Sequence, residues 1–281
     1  MITFAEQGEV WIERLRTRKR KPLKDSSLAA YQSYLDNWIY PIIGQKKLAK
    51  FGPLEMRDFV SQLAISLGAK SVNEIVSVVK QIVASVTNEN GLALFPRAWS
   101  SEFIDLPAVN PRQQHTPTIT REEIEQAIAS SNEQYGCLYA CLAASGLRIN
   151  EALSIRLDDA NGPHITFDPA LSTIHVRRGL WRGREQDTPK TQAAIRSVEV
   201  PYALGEMLTN FVGNRDACHC WLFGNGRPMS ESTARSHLQK RIPGKGFHAF
   251  RRFFVNHRRS MAMNEEILRE LAGHSSSNMT D

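Results

Sequence analysis

The segment from Pro107 to Thr120, PAVNPRQQHTPTIT, holds three prolines and almost no apolar periodicity. Neither a helix nor a central strand runs through such a stretch, because proline fixes φ and lacks the amide donor. It reads as an extended linker separating residues 1–106 from residues 121–281. Each part can fill a core of its own, since the chain has 281 residues and is 42% hydrophobic.

Residues 3–16, 26–39, 53–66 and 70–87 each repeat apolar side chains at helical spacing, with start signals at Asp25-Ser26-Ser27, Pro53 and Ser71. Pro41-Ile42-Ile43-Gly44 and the stretch holding Lys46, Lys47 and Lys50 read as connections. The first part is therefore expected to be all helical. In the second, Thr120 with Glu123 forms a capping box, two helices follow, and Ser145 to Glu151 opens a third. Residues 164–168, 172–178 and 195–200 are β-branched and alternating, which predicts three strands. From Tyr202 the helical pattern returns, broken at residues 224–228 and 243–246. The expected fold class is mainly α with a small antiparallel β-sheet, the second part being an α+β domain.

The 35 Lys plus Arg against 29 Asp plus Glu leave a net charge of +6, which favours polyanionic partners. No apolar run approaches the roughly 20 residues that span a bilayer, and MITFAEQGEVWIERL lacks the order of a signal peptide. A soluble, cytoplasmic protein with no membrane partner is expected. Cys137 and Cys141 stand one helical turn apart and Cys218-His219-Cys220 form a close group, so neither a disulfide framework nor a zinc knuckle is implied.

Arg148, Lys190, His248, Arg251 and His274 sit at punctuated places in the second part. Their types suit a phosphodiester. A pentavalent phosphoryl transition state spreads negative charge over its non-bridging oxygens, and guanidinium forks bind those oxygens without losing protons. Arg148 and Arg251 fit that role. A lysine on a hairpin, here Lys190, can approach the leaving oxygen and donate a proton. The imidazoles of His248 and His274 can supply a base or a hydrogen bond to phosphate.

At these residues the chain resembles the tyrosine recombinases, the phage integrase family. The resemblance lies in Gly146-Leu147-Arg148, Pro189-Lys190-Thr191, His248-Ala249-Phe250-Arg251 and Gly273-His274, in that order and spacing. Glu151 after the first Arg and Arg196-Ser197-Val198-Glu199-Val200-Pro201 after the Lys add to it. The first part resembles the family's helical, SAM-like core-binding domain. The resemblance implies a site-specific recombinase or integrase that cuts and rejoins double-stranded DNA through a 3′-phosphotyrosyl intermediate. It further implies no cofactor, no metal and a tetramer on DNA. In it Arg148, Lys190, His248, Arg251 and His274 are catalytic, and Glu151 orients Arg148. Ala249, Phe250 and Arg252 depart from the family's usual Asp, Leu and His. Its nucleophilic tyrosine falls about nine positions after the second histidine, which places it just past Asp281. None of Tyr31, Tyr34, Tyr40, Tyr135, Tyr139 and Tyr202 lies in the matching segment. A non-catalytic DNA-binding protein of the same fold, acting as a recombination antagonist or accessory factor, is the alternative.

Arg16, Arg18, Lys19, Arg20 and Lys21 form a basic run that suits an arm lying along phosphates. Arg177, Arg178, Arg182 and Arg184 flank the hairpin expected to bear Lys190 and are placed to grip the backbone, with Trp181 beside them to stack or pack. Asp158, Asp159 and Asp168 could clamp Mg²⁺ in a metal nuclease, but turn and helix-end roles suit them better.

Overall fold

Thr3 opens the first helix with a capping box: its hydroxyl accepts from the Glu6 amide, and the Glu6 carboxylate accepts from the Thr3 amide at 2.8 Å. The computed structural model containing this helix describes residues 2–110, 117–168, 170–186, 195–215 and 220–273. Its chain divides into two compact units, Met1–Gln114 and His115–Asp281.

The first unit consists of α1 (Phe4–Thr17), α2 (Asp25–Tyr34), α3 (Tyr40–Ile43), α4 (Pro53–Ala64) and α5 (Ala69–Ala84). A π turn, Leu35–Ile39, joins α2 to α3, so the chain stays helical through Pro41 instead of leaving the helix there as its sequence suggests. The cause is local. The Tyr40 amide reaches back five residues to the Leu35 carbonyl, and this wider turn accommodates the proline ring and its missing donor. Phe4, Trp11, Leu35, Phe51, Phe59, Ile75 and Val79 are buried together, and Phe4 meets Phe51 edge-on with centroids 4.6 Å apart. Each such side chain contributes roughly 1.5–3 kcal/mol.

The second unit begins with α6 (Arg121–Ala129), α7 (Glu133–Ser145) and α8 (Ile149–Ala152). The expected Thr120–Glu123 capping box is present. Strands β1 (His164–Thr166), β2 (Thr173–Val176), β3 (Gly179–Trp181), β4 (Arg184–Gln186) and β5 (Arg196–Glu199) follow. β1, β2 and β5 form an antiparallel sheet in the order β1-β2-β5, with Ile174 opposite both Ile165 and Val198. The hairpin β3-β4 stands between β2 and β5 in sequence and pairs separately. After α9 (Tyr202–Gly213) comes a small hairpin of β6 (Gly224–Asn225) and β7 (Arg227–Pro228), at the break expected in the helical pattern. The unit continues with α10 (Glu231–Arg241), α11 (His248–Ser260) and α12 (Glu265–Ala272). Its core gathers Leu138, Tyr139, Leu142, Ile174, Leu208, Phe223 and Phe250. The expected class, mainly α with a small antiparallel sheet, is the one observed.

Candidate active site

Gly146 ends α7 in the left-handed region, at φ 64°, with its amide bonded to the Leu142 carbonyl. A side chain there would be strained, and its Cβ would also strike the Phe254 ring. The turn buries Leu147 and brings Arg148 to the start of α8. Glu151, three residues on, accepts from the Arg148 amide at 2.9 Å and from its Nη1 at 2.8 Å. The Arg148 side chain remains 32% exposed while that of Glu151 is 8% exposed. One face of the head group is therefore held and another is available.

Arg251 lies one turn into α11, on the buried face with Phe250, Phe254 and Val255. Its Nη1 donates to the Gly146 carbonyl at 2.7 Å and its Nη2 donates to the Ala272 carbonyl. Burial first, and the Arg148 charge second, bring its pKa down to about 9, which still leaves it charged at neutral pH. His248 precedes it by three residues and so shares its side of the helix. The imidazole retains solvent exposure, yet desolvation by the surrounding protein lowers its pKa, followed by the charges of Arg251, Arg148, Arg252 and Arg235. It is thus biased toward the neutral form that can accept a proton. Burial pushes the Glu151 carboxyl up, but the Arg196 hydrogen bond and charge, with Arg148, outweigh it and hold the group below its ordinary value.

The structure brings Arg148, Glu151, His248 and Arg251 together. Lys190 and His274 lie outside the described residues. So do Cys218 and His219.

The basic residues expected on DNA fall into different situations. Arg18, Lys19, Arg20 and Lys21 are exposed beyond α1, with Arg18 Nε donating to the Lys21 carbonyl at 2.9 Å. Arg16 is exposed and pairs with Glu13 at 2.6 Å. Arg178 pairs with Glu185 across the β3-β4 hairpin at 2.9 Å, and Arg177 donates to the Arg196 carbonyl at 3.3 Å. Arg182 and Arg184 are exposed at the hairpin's turn, where the Arg182 guanidinium lies 4.9 Å from the centre of the Trp181 ring. An open groove of about 1230 Å³ runs from this turn to the β6-β7 hairpin and the start of α10, lined by Trp181, Arg182, Asn225, Arg227, Ser232 and Arg235.

Asp158 pairs with Arg156 at 2.8 Å, and that ion pair brings its pKa down to about 2. Asp159 and Asp168 accept backbone amides in their own turns. These carboxylates are committed locally, as turn residues are. Burial pushes the Cys137 and Cys141 thiols up to about 12, making them inert core residues. Three tyrosine hydroxyls are engaged: Tyr34 with Glu74, Tyr40 with Glu9, and Tyr139 with His237. A hydrogen bond to Glu74 raises Tyr34 to about 12, while burial raises Tyr40 and Tyr139, the wrong direction for a nucleophile.

Arg196 is not recognisable as a site residue from the sequence, where it marks only the start of a strand. Its signal is parity: it shares the inward register of Val198 and Val200, and an arginine buried on a strand needs a partner. That partner is Glu151, at 2.9 Å.

Residues 3–64 match the family described as "Phage integrase, N-terminal SAM-like domain". No curated protein matches the chain in sequence. Among solved structures, the Tn1549 transposon integrase in complex with circular intermediate DNA is 15% identical with a TM-score of 0.74, the match covering 100% of this chain and 94% of that one. A lambda integrase dimer bound to a COC′ core site is 15% identical with a TM-score of 0.68, covering 99% of this chain and 94% of that one. A lambda integrase tetramer bound to a Holliday junction is 14% identical with a TM-score of 0.69, covering 100% and 80%. The chain therefore has the fold of the tyrosine recombinases and carries the SAM-like N-terminal domain of the phage integrases over residues 3–64.

Proposed function

We propose that the chain is the DNA-binding and phosphate-activating body of a site-specific recombinase or integrase that cleaves and rejoins DNA through a 3′-phosphotyrosyl intermediate. The observation that carries this reading is the convergence of Arg148 and Arg251. Arg251 donates to the Ala272 carbonyl at the end of α12 and Arg148 Nη2 comes within 3.5 Å of the adjacent Gly273 carbonyl, with His248 one turn away on α11. Two guanidinium groups at one place suit the non-bridging oxygens of a phosphodiester, and they matter most as charge accumulates in the transition state. In this reading a tyrosine oxygen attacks phosphorus and His248 takes up or shares its proton. The 5′ oxygen then leaves with a proton from Lys190, and the phosphotyrosyl bond preserves the energy for rejoining. His274 adds a hydrogen bond to phosphate.

The exposed basic run after α1 and the groove bordered by Trp181, Arg182 and Arg227 support an interface with duplex DNA. The matched integrases are themselves bound to DNA, one of them as a tetramer, and the proposal extends both properties to this chain. The SAM-like unit, the linker at residues 107–120 and the second unit would then grip one duplex in each protomer.

The test is covalent trapping on a nicked duplex carrying the protein's selected binding site. The 281-residue chain should bind but form no adduct, because none of its six tyrosines serves as nucleophile. A chain extended by a segment with tyrosine nine positions after His274 should form one. An adduct mapped to Tyr202 or another tyrosine of this chain would overturn the assignment.

A further inference from the structure

Arg196 opens β5 with its side chain only 4% exposed. Its Nη2 donates to Glu151 Oε2 at 2.9 Å, its Nη1 to Oε1 at 3.3 Å, and its Nε to the Leu271 carbonyl at 2.7 Å. Glu151 thus lies between two arginines, holding Arg148 with one set of lone pairs and Arg196 with another. At the end of α12, three consecutive carbonyls accept from three elements. Leu271 takes Arg196 from β5, Ala272 takes Arg251 from α11, and Gly273 takes Arg148 from the start of α8.

Three guanidinium groups meet at a helix C-terminus worth roughly half a negative charge, and one carboxylate pairs with two of them. The surplus positive charge is what an incoming phosphate would meet. Arg196 cannot meet it directly, because its head group is enclosed and turned toward Glu151 and Leu271. Stability does not explain it either, since a buried ion pair often gives no more than well-packed apolar residues of similar volume. Fixing a neighbour's orientation does explain it: a planar guanidinium bonded to both oxygens of a carboxylate prevents that carboxylate from rotating.

We propose that Arg196 is a positioning residue, which locks Glu151 and the end of α12 so that Arg148 is presented to phosphate in one orientation. This rests on the phosphate-binding reading above.

The test uses the chain itself and inorganic phosphate as the probe, followed by the Nε–H resonances of Arg148 and Arg251, assigned through single Arg→Lys substitutions. In the unsubstituted chain phosphate should shift both resonances saturably. If it shifts neither, the phosphate-binding reading fails, and this proposal falls with it. Arg196→Lys keeps the charge but cannot span both Glu151 oxygens and the Leu271 carbonyl. Its apparent Kd at Arg251 and at Arg148 should rise about five- to tenfold, the scale of one ordinary net hydrogen bond. An unchanged Kd in the folded variant overturns the proposal, whatever happens to the melting temperature, because a purely structural role would lower Tm and leave the affinity of the folded protein alone. Should Arg196→Lys fail to fold, Glu151→Gln decides. That change makes the cluster one charge more positive, so electrostatics alone predicts tighter phosphate binding, whereas loss of the lock predicts weaker binding. Equal or tighter binding overturns the proposal.

Discussion

Arg18, Lys19, Arg20 and Lys21 stand in water beyond α1, whereas Arg196 and Arg251 are buried among α8, α11, α12 and β5. The two regions have the same sign of charge in opposite physical states. In the exposed run each charge is screened by water and salt, so its contribution to binding a polyanion comes from released counterions and adds along the run. In the buried cluster every head group is held by a named acceptor, at the cost of desolvation. That cost is visible in Arg251, which burial and Arg148 bring down to about 9. The first arrangement suits affinity without geometry. The second suits a single oriented anion, where small displacements matter.

The largest effect that would break this contrast is on cleavage. In a form carrying the nucleophile, Arg148→Ala or Arg251→Ala should slow adduct formation by about 10²–10³, the scale of a lost oxyanion donor. Duplex affinity, measured by fluorescence anisotropy, should change little. A variant that cleaves normally is not part of the site, and one that fails only in binding belongs with the exposed run. For that run, replacing Arg18, Lys19, Arg20 and Lys21 together by Ala should leave single-turnover cleavage at saturating protein intact. The slope of log K against log salt should become shallower by up to about 3.6 units, at about 0.9 for each phosphate that is no longer neutralised.

A smaller effect concerns the backbone beneath the cluster. Gly146→Ala combines a left-handed residue with a Cβ pressed into Phe254. It should cost about 2–5 kcal/mol in urea unfolding, from roughly 1–2 for the conformation and 1–3 for the steric conflict. Gly68→Ala has open space and ordinary φ, and should cost no more than roughly 0.5–1 kcal/mol, because Ala is the poorer N-cap for α5. Equal behaviour of the two would mean that the turn ahead of Arg148 is not under the constraint described.

Much of this is legible in the amino-acid sequence. Capping chemistry announces α6, alternation announces β1, β2 and β5, and the Gly146-Leu147-Arg148 and His248–Arg251 spacings name residues that the fold brings together. These signals are local, carried by neighbours within one turn or one strand. The helical passage through Pro41 is not legible, because it depends on a π turn whose hydrogen bond spans five residues. Arg196 is hidden for a different reason. Its partners lie 45 and 75 positions away, and no periodicity links a strand arginine to a helix-cap glutamate or to a helix's last carbonyls. The β3-β4 hairpin reads in the sequence only as the flank of Lys190, although its own turn is Arg182-Gly183 with both residues at positive φ.

The finest test of the contrast is the titration of His248, the imidazole that borders the cluster. Desolvation, then Arg251, Arg148, Arg252 and Arg235, lower its pKa from 6.5. A histidine depressed in this way favours the folded state fully above its unfolded pKa, and that advantage is lost as pH falls through the lower folded value. Followed by its Cε1–H resonance, His248 should therefore titrate below 6.5 in the free chain. Arg251→Met should raise the midpoint by removing a neighbouring positive charge, but only partway, because the desolvation remains. Saturating inorganic phosphate should raise it as well, by supplying a negative charge to the same neighbours. Replacing Arg18, Lys19, Arg20 and Lys21 should leave it where it is, since those charges stand in water and are screened. A midpoint at or above 6.5, or one that follows the exposed run instead of Arg251, would remove the distinction between the two basic regions.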